Sequence, residues 1–449
     1  MYGILDVDSY KLSHYLQYPE GTTGLRAYFE ARTNGEPIKF FGLQYIIKQS
    51  LMTTVTKEMV DEANSLAQEH GLPFPYEGWM RVVNVHKGKI PLRIEAVQEG
   101  TVVPSGNVLF TVINTDLELP WMTTWFETVL SRVWYPTTVA TRSYQMKKFF
   151  QEQINLTSDD PDQLPFKLHD FGSRGVSSAE SAGIGGAAHL LNFAGTDTIA
   201  GLMTVREFYN FEGMPGFSIP ASEHSTMTSW GRDAEVDAML NMVEQFGKPG
   251  AIFACVSDSY DIYNAVTNIW GDELKDKIIE SGATLVVRPD SGDPTEMVMF
   301  CLQSLDESFG HTVNSKGYKV LNNVRVIQGD GVTPVEIMGI VAAVTEAGYA
   351  IDNVNFGMGA GLLQKLDRDT HKFAYKVCEI EVNGIWYPVF KDPVSGTKKS
   401  KSGNLDLIKE KGWFKTIDRR EFFDIADSLL ETVYEDGELL IDLKWEDIR

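Results

Sequence analysis

The second half of the chain repeats one pattern, in which a short apolar run ends in a polar or glycine-rich cluster and is followed by a helical stretch. Apolar strands that alternate with amphipathic helices indicate a parallel sheet covered by helices. In a barrel of this kind, the loops that follow the strands share one face, where active sites lie. The pattern therefore predicts an α/β fold with a barrel-like parallel α/β domain. The polar clusters are expected to converge at that face. Six runs from residue 166 onward carry the pattern: FKLHDFGSRG, GFSIPASEH, AIFACVSDSYD, TLVVRPDSGD, VRVIQGDG and VNFGMGAG.

The two ends of the chain have a different character. The N-terminal part combines helical spacing with a small β element, and the C-terminal part begins with a β-turn-β pattern and a basic loop. We therefore expect a second α+β domain formed from both chain ends. Residues 1–150 are predicted to be its N-terminal helical and β part, residues 151–378 the barrel-like catalytic domain, and residues 379–449 a segment that packs on the N-terminal part.

Charge and cysteine content exclude several classes of partner. With 62 acidic and 40 basic side chains the formal net charge is −22, which argues against nucleic acid or an anionic membrane as the main partner. No stretch approaches the roughly 18 apolar residues of a membrane span, and the N-terminus lacks the pattern of a signal peptide. Cys255, Cys301 and Cys378 are odd in number and far apart. They favour a reducing, cytoplasmic setting and disfavour a disulfide framework.

Two glycine-rich turns late in the barrel suit a phosphate group. Residues 354–361 place three glycines before a helix, where free backbone N–H groups bind anions. Residues 324–331 end in a second such turn, with Asp330 between two glycines. The alternative is that both are only tight turns between a strand and a helix. Their position on one face of the barrel favours a shared phosphate site.

Acidic and basic side chains follow two further strands. Arg288 can form paired hydrogen bonds with phosphate oxygens, and Asp290 can accept from the hydroxyls of a sugar. The alternative is a local ion pair that caps the next helix. Asp258 and Asp261 suit a hydrated Mg²⁺ bound to pyrophosphate, and their alternative is a cluster that caps a helix.

Two other strand ends carry residues able to do chemistry. His224 can be a nucleophile or an acid/base group, or only a satisfied polar residue. Zinc is disfavoured because no second His or Cys stands at ligand spacing. Phe171 can stack on a flat ring and Arg174 can hold an anion, unless they are a packed aromatic and a surface cation. These residues predict a barrel that binds a phosphorylated sugar with Mg²⁺, and they leave the base and the reaction open.

Long ordered motifs over nearly the whole chain resemble those of the nicotinamide phosphoribosyltransferases, within the type II phosphoribosyltransferases. The resemblance implies an α/β barrel-like domain joined to a second domain, and a homodimer with active sites at the subunit interface. It also implies nicotinamide, phosphoribosyl pyrophosphate and ATP as substrates, with nicotinamide mononucleotide as the product for NAD salvage. The motifs that carry it include DSYKLSHYLQYP, WYPTTVATRS, KLHDFGSRGVSS, GTDTIAG, PASEHSTMTSWG, VSDSYDIYN, RPDSGDP, RVIQGDGV and FGMGAGLLQKLDRD.

The resemblance also implies roles for residues around the base. Phe171 and Tyr10 of the partner subunit would hold the nicotinamide ring between them. Asp197, in GTDT, looks like the carboxylate that accepts a hydrogen bond from the carboxamide. A carboxylate there would repel nicotinate, which is a physical reason to prefer the amide.

The remaining roles implied by the resemblance concern catalysis and phosphate binding. His224 would be phosphorylated by ATP, Asp261 would support it, and Asp290 would bind the ribose hydroxyls. Metal ligands are left unassigned. The other substrate-binding positions are Arg174, Arg288, Pro289, Gly329, Asp330, Gly359 and Ala360, with Arg368 and Lys376 reaching phosphates across the dimer and Arg32 and Lys391 as further candidates.

Three alternatives stand beside this interpretation. A nicotinate phosphoribosyltransferase is disfavoured by Asp197 and the PASEH motif. A sugar-phosphate aldolase or isomerase would need a lysine or a pair of bases at the strand ends, and the sequence offers no convincing lysine there. A non-catalytic nucleotide-binding protein would be expected to lose at least one of His224, Arg288 and Asp290, and all three are present.

Overall fold

The structure is a computed structural model that describes residues 3–393, 399–421 and 428–449. It divides into two compact units, which we name by their composition. The end unit comprises Met1–Thr141, Val205–Phe211 and Asp367–Arg449, and the barrel unit comprises Arg142–Thr204 and Glu212–Leu366. Part of the basic loop predicted near the C-terminus, residues 394–398, lies outside the described residues.

The strands are numbered in chain order. They are β1 (Thr22–Glu30), β2 (Pro37–Lys39), β3 (Leu92–Ala96), β4 (Val102–Pro104), β5 (Val108–Asn114), β6 (Leu168–Asp170), β7 (Gly195–Thr196), β8 (Ile252–Val256), β9 (Thr284–Arg288), β10 (His311–Val313), β11 (Lys319–Leu321), β12 (Val324–Gln328), β13 (Val354–Met358), β14 (Ala374–Val382), β15 (Ile385–Pro388), β16 (Leu405–Glu410), β17 (Trp413–Asp418), β18 (Glu431–Glu435) and β19 (Glu438–Leu439).

The α-helices are numbered in the same way, and short 3₁₀ and π segments connect some of them. They are α1 (Leu43–Ile46), α2 (Lys57–Glu69), α3 (Tyr76–Asn84), α4 (Met122–Trp125), α5 (Glu127–Ser131), α6 (Trp134–Thr157), α7 (Ala179–Leu190), α8 (Ile199–Phe208), α9 (His224–Thr228), α10 (Glu235–Phe246), α11 (Ile262–Asn264), α12 (Lys275–Ser281), α13 (Pro294–Phe309), α14 (Pro334–Glu346), α15 (Ala360–Leu363) and α16 (Trp445–Ile448).

The barrel unit contains a parallel sheet in the order β7-β6-β13-β12-β9-β8. The segment from Phe217 to Ser222 bonds to both edge strands of this sheet. Phe217 pairs with Gly195 of β7, and Ala221 pairs with Ala254 of β8. The sheet therefore curls until its two edges share one partner segment, and the predicted barrel-like α/β class is confirmed.

Five of the six apolar runs in the sequence became regular strands, and the sixth did not. The run around Phe217 forms only isolated bridges, because Pro220 has no N–H to give to a ladder. The two-residue strand β7 was not predicted. Too short to show any periodicity, it forms beside β6 and also bridges to Phe217.

The end unit is built on an antiparallel sheet in the order β15-β14-β1-β5-β3-β18-β19. Strand β1 lies between β14 and β5, so a strand from the second half of the chain pairs with one from the start. Phe29 of β1 stacks on Phe110 and Phe373 at centroid distances of 4.9 and 5.3 Å. This sheet-containing second domain, formed mainly from the chain ends, was also predicted.

The unit boundaries differ from those expected from the sequence. The barrel unit begins at Arg142, inside α6, and ends at Leu366, because β14 is a strand of the end unit's sheet. Residues 205–211 join the end unit through Tyr209. Its hydroxyl donates to the buried carboxylate of Glu99 at 2.9 Å, and that carboxylate also accepts from the N–H of Gly42.

Local signals in the sequence explain where the helices of the barrel unit begin. Asp293 caps α13 by accepting from Glu296 N at 2.9 Å, and Pro294 follows at the first helical position. Thr333 and Glu336 form a capping box at α14. Within the described part of the chain, no helix combines the length and the apolar character needed to cross a bilayer.

Candidate active site

A cavity of about 500 Å³ lies at the carboxyl ends of the barrel strands, where the sequence predicted the polar clusters to meet. It lies within the barrel unit. Eight of the predicted site residues line it: Phe171, Arg174, Asp197, Arg288, Asp290, Gly329, Asp330 and Gly359. The other lining residues are His169, Ser173, Ser218, Ile219, Ala221, Ala254 and Ile327.

Phe171 forms an apolar wall of this cavity. Its ring packs against Ala254, Val286 and Ile327 from the interior of the barrel. A side chain at Gly357 would overlap the Phe171 ring, and a Cβ at Gly329 would come within 2.7 Å of it. These two glycines therefore make room for an aromatic ring, whereas the sequence analysis had linked them to a phosphate or to tight turns.

Asp197 stands at another side of the cavity and is held by two side chains. His169 Nε2 lies 3.0 Å from Asp197 Oδ1, and Ser218 Oγ donates to the same oxygen at 2.5 Å. Burial pushes the pKa of Asp197 upward, but the hydrogen bonds from His169 and Ser218 outweigh it and lower the pKa. The carboxylate is therefore ionised at neutral pH.

The neighbouring carboxyl group of Asp170 behaves differently. It is fully buried at the end of β6, and burial raises its pKa to about 6. Its Oδ1 accepts from the N–H of Gly172 at 2.7 Å, which shapes the turn that carries Phe171. Asp170 thus supports the loop, while Asp197 faces the cavity.

Arg288 and Asp290 form a pair at the end of β9. Arg288 donates to Asp290 Oδ2 at 3.1 Å. The Nε of Arg288 is buried and has no hydrogen-bond partner among the residues that the structure describes. The cap of α13 is Asp293, so the alternative in which Asp290 serves that helix does not hold. The pair therefore retains donors and acceptors for a phosphorylated sugar.

His224 is the first residue of α9, and Asp258 is its partner. Its Nε2 lies 2.9 Å from Asp258 Oδ1, and its Nδ1 lies 3.8 Å from Asp290 Oδ2. The Asp258 side chain is 5% exposed, and Ser291 Oγ donates to its other oxygen at 2.5 Å. The imidazole is about half exposed, so a reactant can reach it.

The structure places Asp261 elsewhere than the sequence analysis expected. Its carboxylate caps α11, accepting from the N–H groups of Tyr263 and Asn264 at 3.0 and 3.1 Å. The acid beside His224 is therefore Asp258, which the sequence analysis had linked to Mg²⁺ or to a helix cap. The physical reason is position: Asp261 immediately precedes a helix, whose free N–H groups engage its side chain.

The two glycine-rich turns differ in backbone structure: one leads directly into a short helix, and the other contains a bond to a side chain and a glycine with positive φ. Gly359 precedes the short helix α15, which begins at Ala360, and Ala360 N lies 3.4 Å from the Cβ position of Gly175. The backbone N–H of Asp330 donates to Gln328 at 3.0 Å, and Gly331 has a φ of +64°. Pro289, another predicted substrate-binding residue, lies between Arg288 and Asp290 in the chain.

Three predicted residues belong to the end unit and are not among those that line the cavity. Tyr10 has an exposed ring, and Arg368 is exposed beside Asp369. Lys376 lies on β14, where burial lowers its pKa. Of the further candidates, Arg32 donates to Glu30 at 2.8 Å, and Lys391 follows β15.

His169, Ser218, Asp258 and Ser291 contribute to the site and were missed or misassigned. One signal was available for the first of them, because His169 and Phe171 lie two residues apart and alternate positions of a strand face the same side. Among the described residues, no three His, Cys, Asp or Glu side chains converge to hold a metal ion. These residues do not form a metal centre of their own.

The chain matches two models of protein families. Residues 166–438 match the nicotinate phosphoribosyltransferase (NAPRTase) family, and residues 3–94 match the nicotinamide phosphoribosyltransferase N-terminal domain. The chain is 52% identical over 454 residues to a protein from Xanthomonas campestris pv. campestris (strain 8004) named nicotinamide phosphoribosyltransferase. That match covers 99% of this chain and 97% of the relative.

The chain belongs to the nicotinate phosphoribosyltransferase family. A second relative, from Acinetobacter baylyi and also named nicotinamide phosphoribosyltransferase, is 32% identical, with 99% of this chain and 95% of the relative covered. Family membership places the chain among the phosphoribosyltransferase enzymes.

Solved structures support the fold. A nicotinate-nucleotide pyrophosphorylase from Pyrococcus furiosus has a TM-score of 0.60 at 14% identity, covering 98% of this chain and 92% of that one. The human nicotinic acid phosphoribosyltransferase has a TM-score of 0.55 at 16% identity, covering 97% and 90%. At these identities the likeness concerns architecture alone.

Proposed function

We propose that this phosphoribosyltransferase transfers the phosphoribosyl group of phosphoribosyl pyrophosphate to nicotinamide, giving nicotinamide mononucleotide and pyrophosphate. The observation that carries the proposal is the ionised carboxylate of Asp197, which lines the same cavity as the Phe171 ring. An ionised carboxylate accepts from a carboxamide N–H and repels a carboxylate. The names of both relatives support the same base.

In this proposal the base lies against Phe171 with its carboxamide toward Asp197. The apolar contacts of Phe171 hold the ring, and the hydrogen bond orients its nitrogen toward the ribose. A homodimer in the cytoplasm, with Tyr10 of the partner subunit on the other ring face, completes the proposed arrangement.

The transfer itself needs little covalent help from the protein. The bond between ribose C1 and the pyrophosphate oxygen breaks, and its electron pair leaves with pyrophosphate. The lone pair of the pyridine nitrogen then forms the new bond to C1. Arg288 and Arg174 would stabilise the developing negative charge, and Asp290 would accept from the ribose hydroxyls. Mg²⁺ would enter with the diphosphate and reduce its charge.

We further propose that ATP phosphorylates His224. Asp258 accepts from Nε2, which leaves the lone pair of Nδ1 as the nucleophile toward the terminal phosphate. The bond from that phosphorus to the bridging oxygen breaks, and ADP leaves with its electron pair. Asp258 stabilises the positive charge that the imidazole acquires.

The reaction is tested by supplying phosphoribosyl pyrophosphate with nicotinamide or nicotinate, each with and without ATP and Mg²⁺, and separating the products by chromatography. We expect nicotinamide mononucleotide, in larger amount with ATP. Nicotinate mononucleotide as the main product would replace the proposal by the sister activity. Absence of product from either base would favour a non-catalytic nucleotide-binding protein.

The role of His224 is tested by replacing His224 itself and by replacing two aspartates of one loop, Asp258 and Asp261. His224→Ala and Asp258→Asn are expected to abolish or strongly reduce ATP stimulation while slow transfer without ATP persists. Asp261→Asn is the control, because asparagine also caps helices and Asp261 bonds to α11. ATP stimulation that survives in His224→Ala would rule out the phosphohistidine.

A further inference from the structure

We propose that Ser218 and His169 are positioning residues that set the choice between nicotinamide and nicotinate by holding one oxygen of Asp197. This inference rests on the proposed function and adds to it the residues that control base selectivity. Both side chains approach Oδ1 of Asp197, from His169 Nε2 at 3.0 Å and from Ser218 Oγ at 2.5 Å. Two donors therefore converge on the same carboxylate oxygen.

The consequence lies with the other oxygen. With Oδ1 occupied, the carboxylate loses rotational freedom about its side chain, and Oδ2 is left to accept from a ligand in the cavity. Asp197 lines that cavity, and its side chain is about half exposed. A carboxamide NH₂ can donate a hydrogen bond to Oδ2. A carboxylate ligand supplies only acceptors, so it is repelled.

Ser218 is held in place by the backbone of its own segment. Phe217 N donates to Ala194 O at 2.6 Å, and Thr196 N donates to Phe217 O at 3.0 Å. These two bonds hold residue 217 against β7, and Asp197 directly follows β7 in the chain. The hydroxyl of Ser218 therefore approaches Asp197 from a fixed direction. The run around Phe217 is not a regular strand, but its backbone bonds position the hydroxyl of Ser218.

His169 is held from two sides. A Cβ at Gly195 would come within 2.6 Å of His169 Nδ1, so the ring depends on a glycine at that place. Its centroid lies 5.2 Å from that of Phe171, with the planes tilted by 56°. The imidazole thus contacts the aromatic wall of the base site and also donates to the carboxylate that recognises the carboxamide.

The same two donors keep Asp197 charged. The ionisable groups that act on it are His169 and Asp170 of β6 and Arg288 of β9, and Ser218 donates from the segment beside β7. Burial raises the pKa of Asp197, whereas the bonds from His169 and Ser218 lower it by more. Removal of a donor raises the pKa, so protonation would begin at a higher pH. A protonated Asp197 can donate to nicotinate.

The test measures kcat/KM for nicotinamide and for nicotinate, with saturating phosphoribosyl pyrophosphate, from pH 5 to pH 8. Ser218→Ala and His169→Phe each remove a donor, and Ser218→Thr and His169→Gln each retain one. We expect the nicotinamide-to-nicotinate ratio to fall about tenfold in the first two variants, the size of one hydrogen bond to a charged group. It should stay near the wild-type value in the second two. Nicotinate use should rise further at low pH in Ser218→Ala and His169→Phe.

The control is Ser304→Ala on α13, outside the cavity, and thermal unfolding verifies that every variant folds. An unchanged ratio in folded Ser218→Ala and His169→Phe overturns the inference. A ratio that falls equally in the donor-retaining variants also overturns it, because the effect would then be steric. The wild-type arm separately tests the proposed function, which fails if nicotinamide yields no mononucleotide. The comparison of variants with wild type tests only the positioning role.

Discussion

Several positions around the cavity are glycine where a Cβ would collide with the ring of a neighbouring side chain. Gly357 and Gly329 leave space for Phe171, and Gly195 leaves space for His169. In each case the missing Cβ lets an aromatic or imidazole side chain lie directly on a strand end. A glycine-rich motif in this barrel therefore marks the position of a neighbouring ring, whether or not it also binds a phosphate. Single added methyl groups can test this.

We expect Gly357→Ala to displace the Phe171 ring. Overpacking of this kind costs about 1–3 kcal/mol of stability. The KM for nicotinamide should rise by about tenfold, since each lost 1.4 kcal/mol of binding corresponds to that factor. Steady-state kinetics and thermal unfolding measure both effects. Gly339→Ala is the control, because nothing lies within 4 Å of its Cβ position and alanine favours the helix α14. Equal effects of the two substitutions would contradict the role of Phe171.

A buried carboxylate in the end unit predicts a pH-dependent stability. Arg81 and His86 both lie 2.6 Å from Asp116 Oδ2. Burial raises the pKa of Asp116, but these hydrogen bonds lower it to about 2. Because this value lies below the ordinary one, the stabilisation is complete above about pH 4 and disappears as the pH falls toward 2.

Asp116→Asn should therefore lower the free energy of unfolding by about 1 kcal/mol at pH 7, after allowance for solvent screening. The difference from wild type should shrink at pH 3. Urea denaturation at both pH values measures it. Asp369→Asn is the control, because that side chain is 80% exposed. A difference that is the same at both pH values would exclude the ionised carboxylate as its source.

Two loops of the barrel unit each contain one acid that faces the site and a second acid that caps the following helix. Asp258 and Asp290 face the site, and Asp261 and Asp293, three residues later in each loop, cap the next helix. The first acid stands just after the end of its strand, and the second precedes a helical N-terminus. In both loops the order of the two acids therefore indicates their roles: the first is the site residue, and the second is the helix cap.

The C-terminal end of α6 depends on one lysine from a distant loop. Lys316 Nζ donates to the carbonyl oxygens of Ile154, Asn155 and Ser158 at 3.2, 2.8 and 2.5 Å. These carbonyls belong to the last turn of the helix and the residue just after it, where a cation is favourable.

Lys316→Met should lower the free energy of unfolding by about 1–2 kcal/mol, through loss of the charge and of the carbonyl partners. Urea denaturation measures the loss. Lys277→Met on the exposed side of α12 is the matched control and should change stability by less than about 0.5 kcal/mol. No loss in Lys316→Met would mean that water replaces the lysine at these carbonyls.

For the whole molecule, the proposed homodimer makes a prediction that neither unit makes alone. Tyr10 and Asp290 belong to different units, and the proposal assigns them to the same active site from different subunits. Tyr10→Ala and Asp290→Ala homodimers should each be strongly impaired. In a mixed dimer, one of the two sites combines an intact Asp290 with an intact Tyr10.

Mixing the two variants should therefore restore activity to roughly a quarter of the wild-type value, if subunits exchange at random and each mixed dimer has one intact site. Tags on each variant allow the mixed dimer to be purified and counted. Mixed dimers that form without any recovered activity would contradict a site shared between subunits.

The sequence by itself determined the elements whose signals are local. Apolar runs predicted strands β6, β8, β9, β12 and β13, because a buried parallel strand needs several consecutive apolar residues. The polar clusters that follow them predicted the face of the site, since parallel strands end at the same side of the sheet. Ordered motifs indicated the family, which the comparisons confirm.

Only the tertiary structure decided which distant residues meet. The bond of Tyr209 to Glu99 spans 110 positions and assigns residues 205–211 to the end unit. Asp258 lies 34 positions from His224, and no periodicity distinguishes it from Asp261 as the acid that the imidazole contacts. The physical reason is that caps and strand patterns depend on a few neighbouring residues, whereas these contacts depend on how the sheets curl and which loops they bring together.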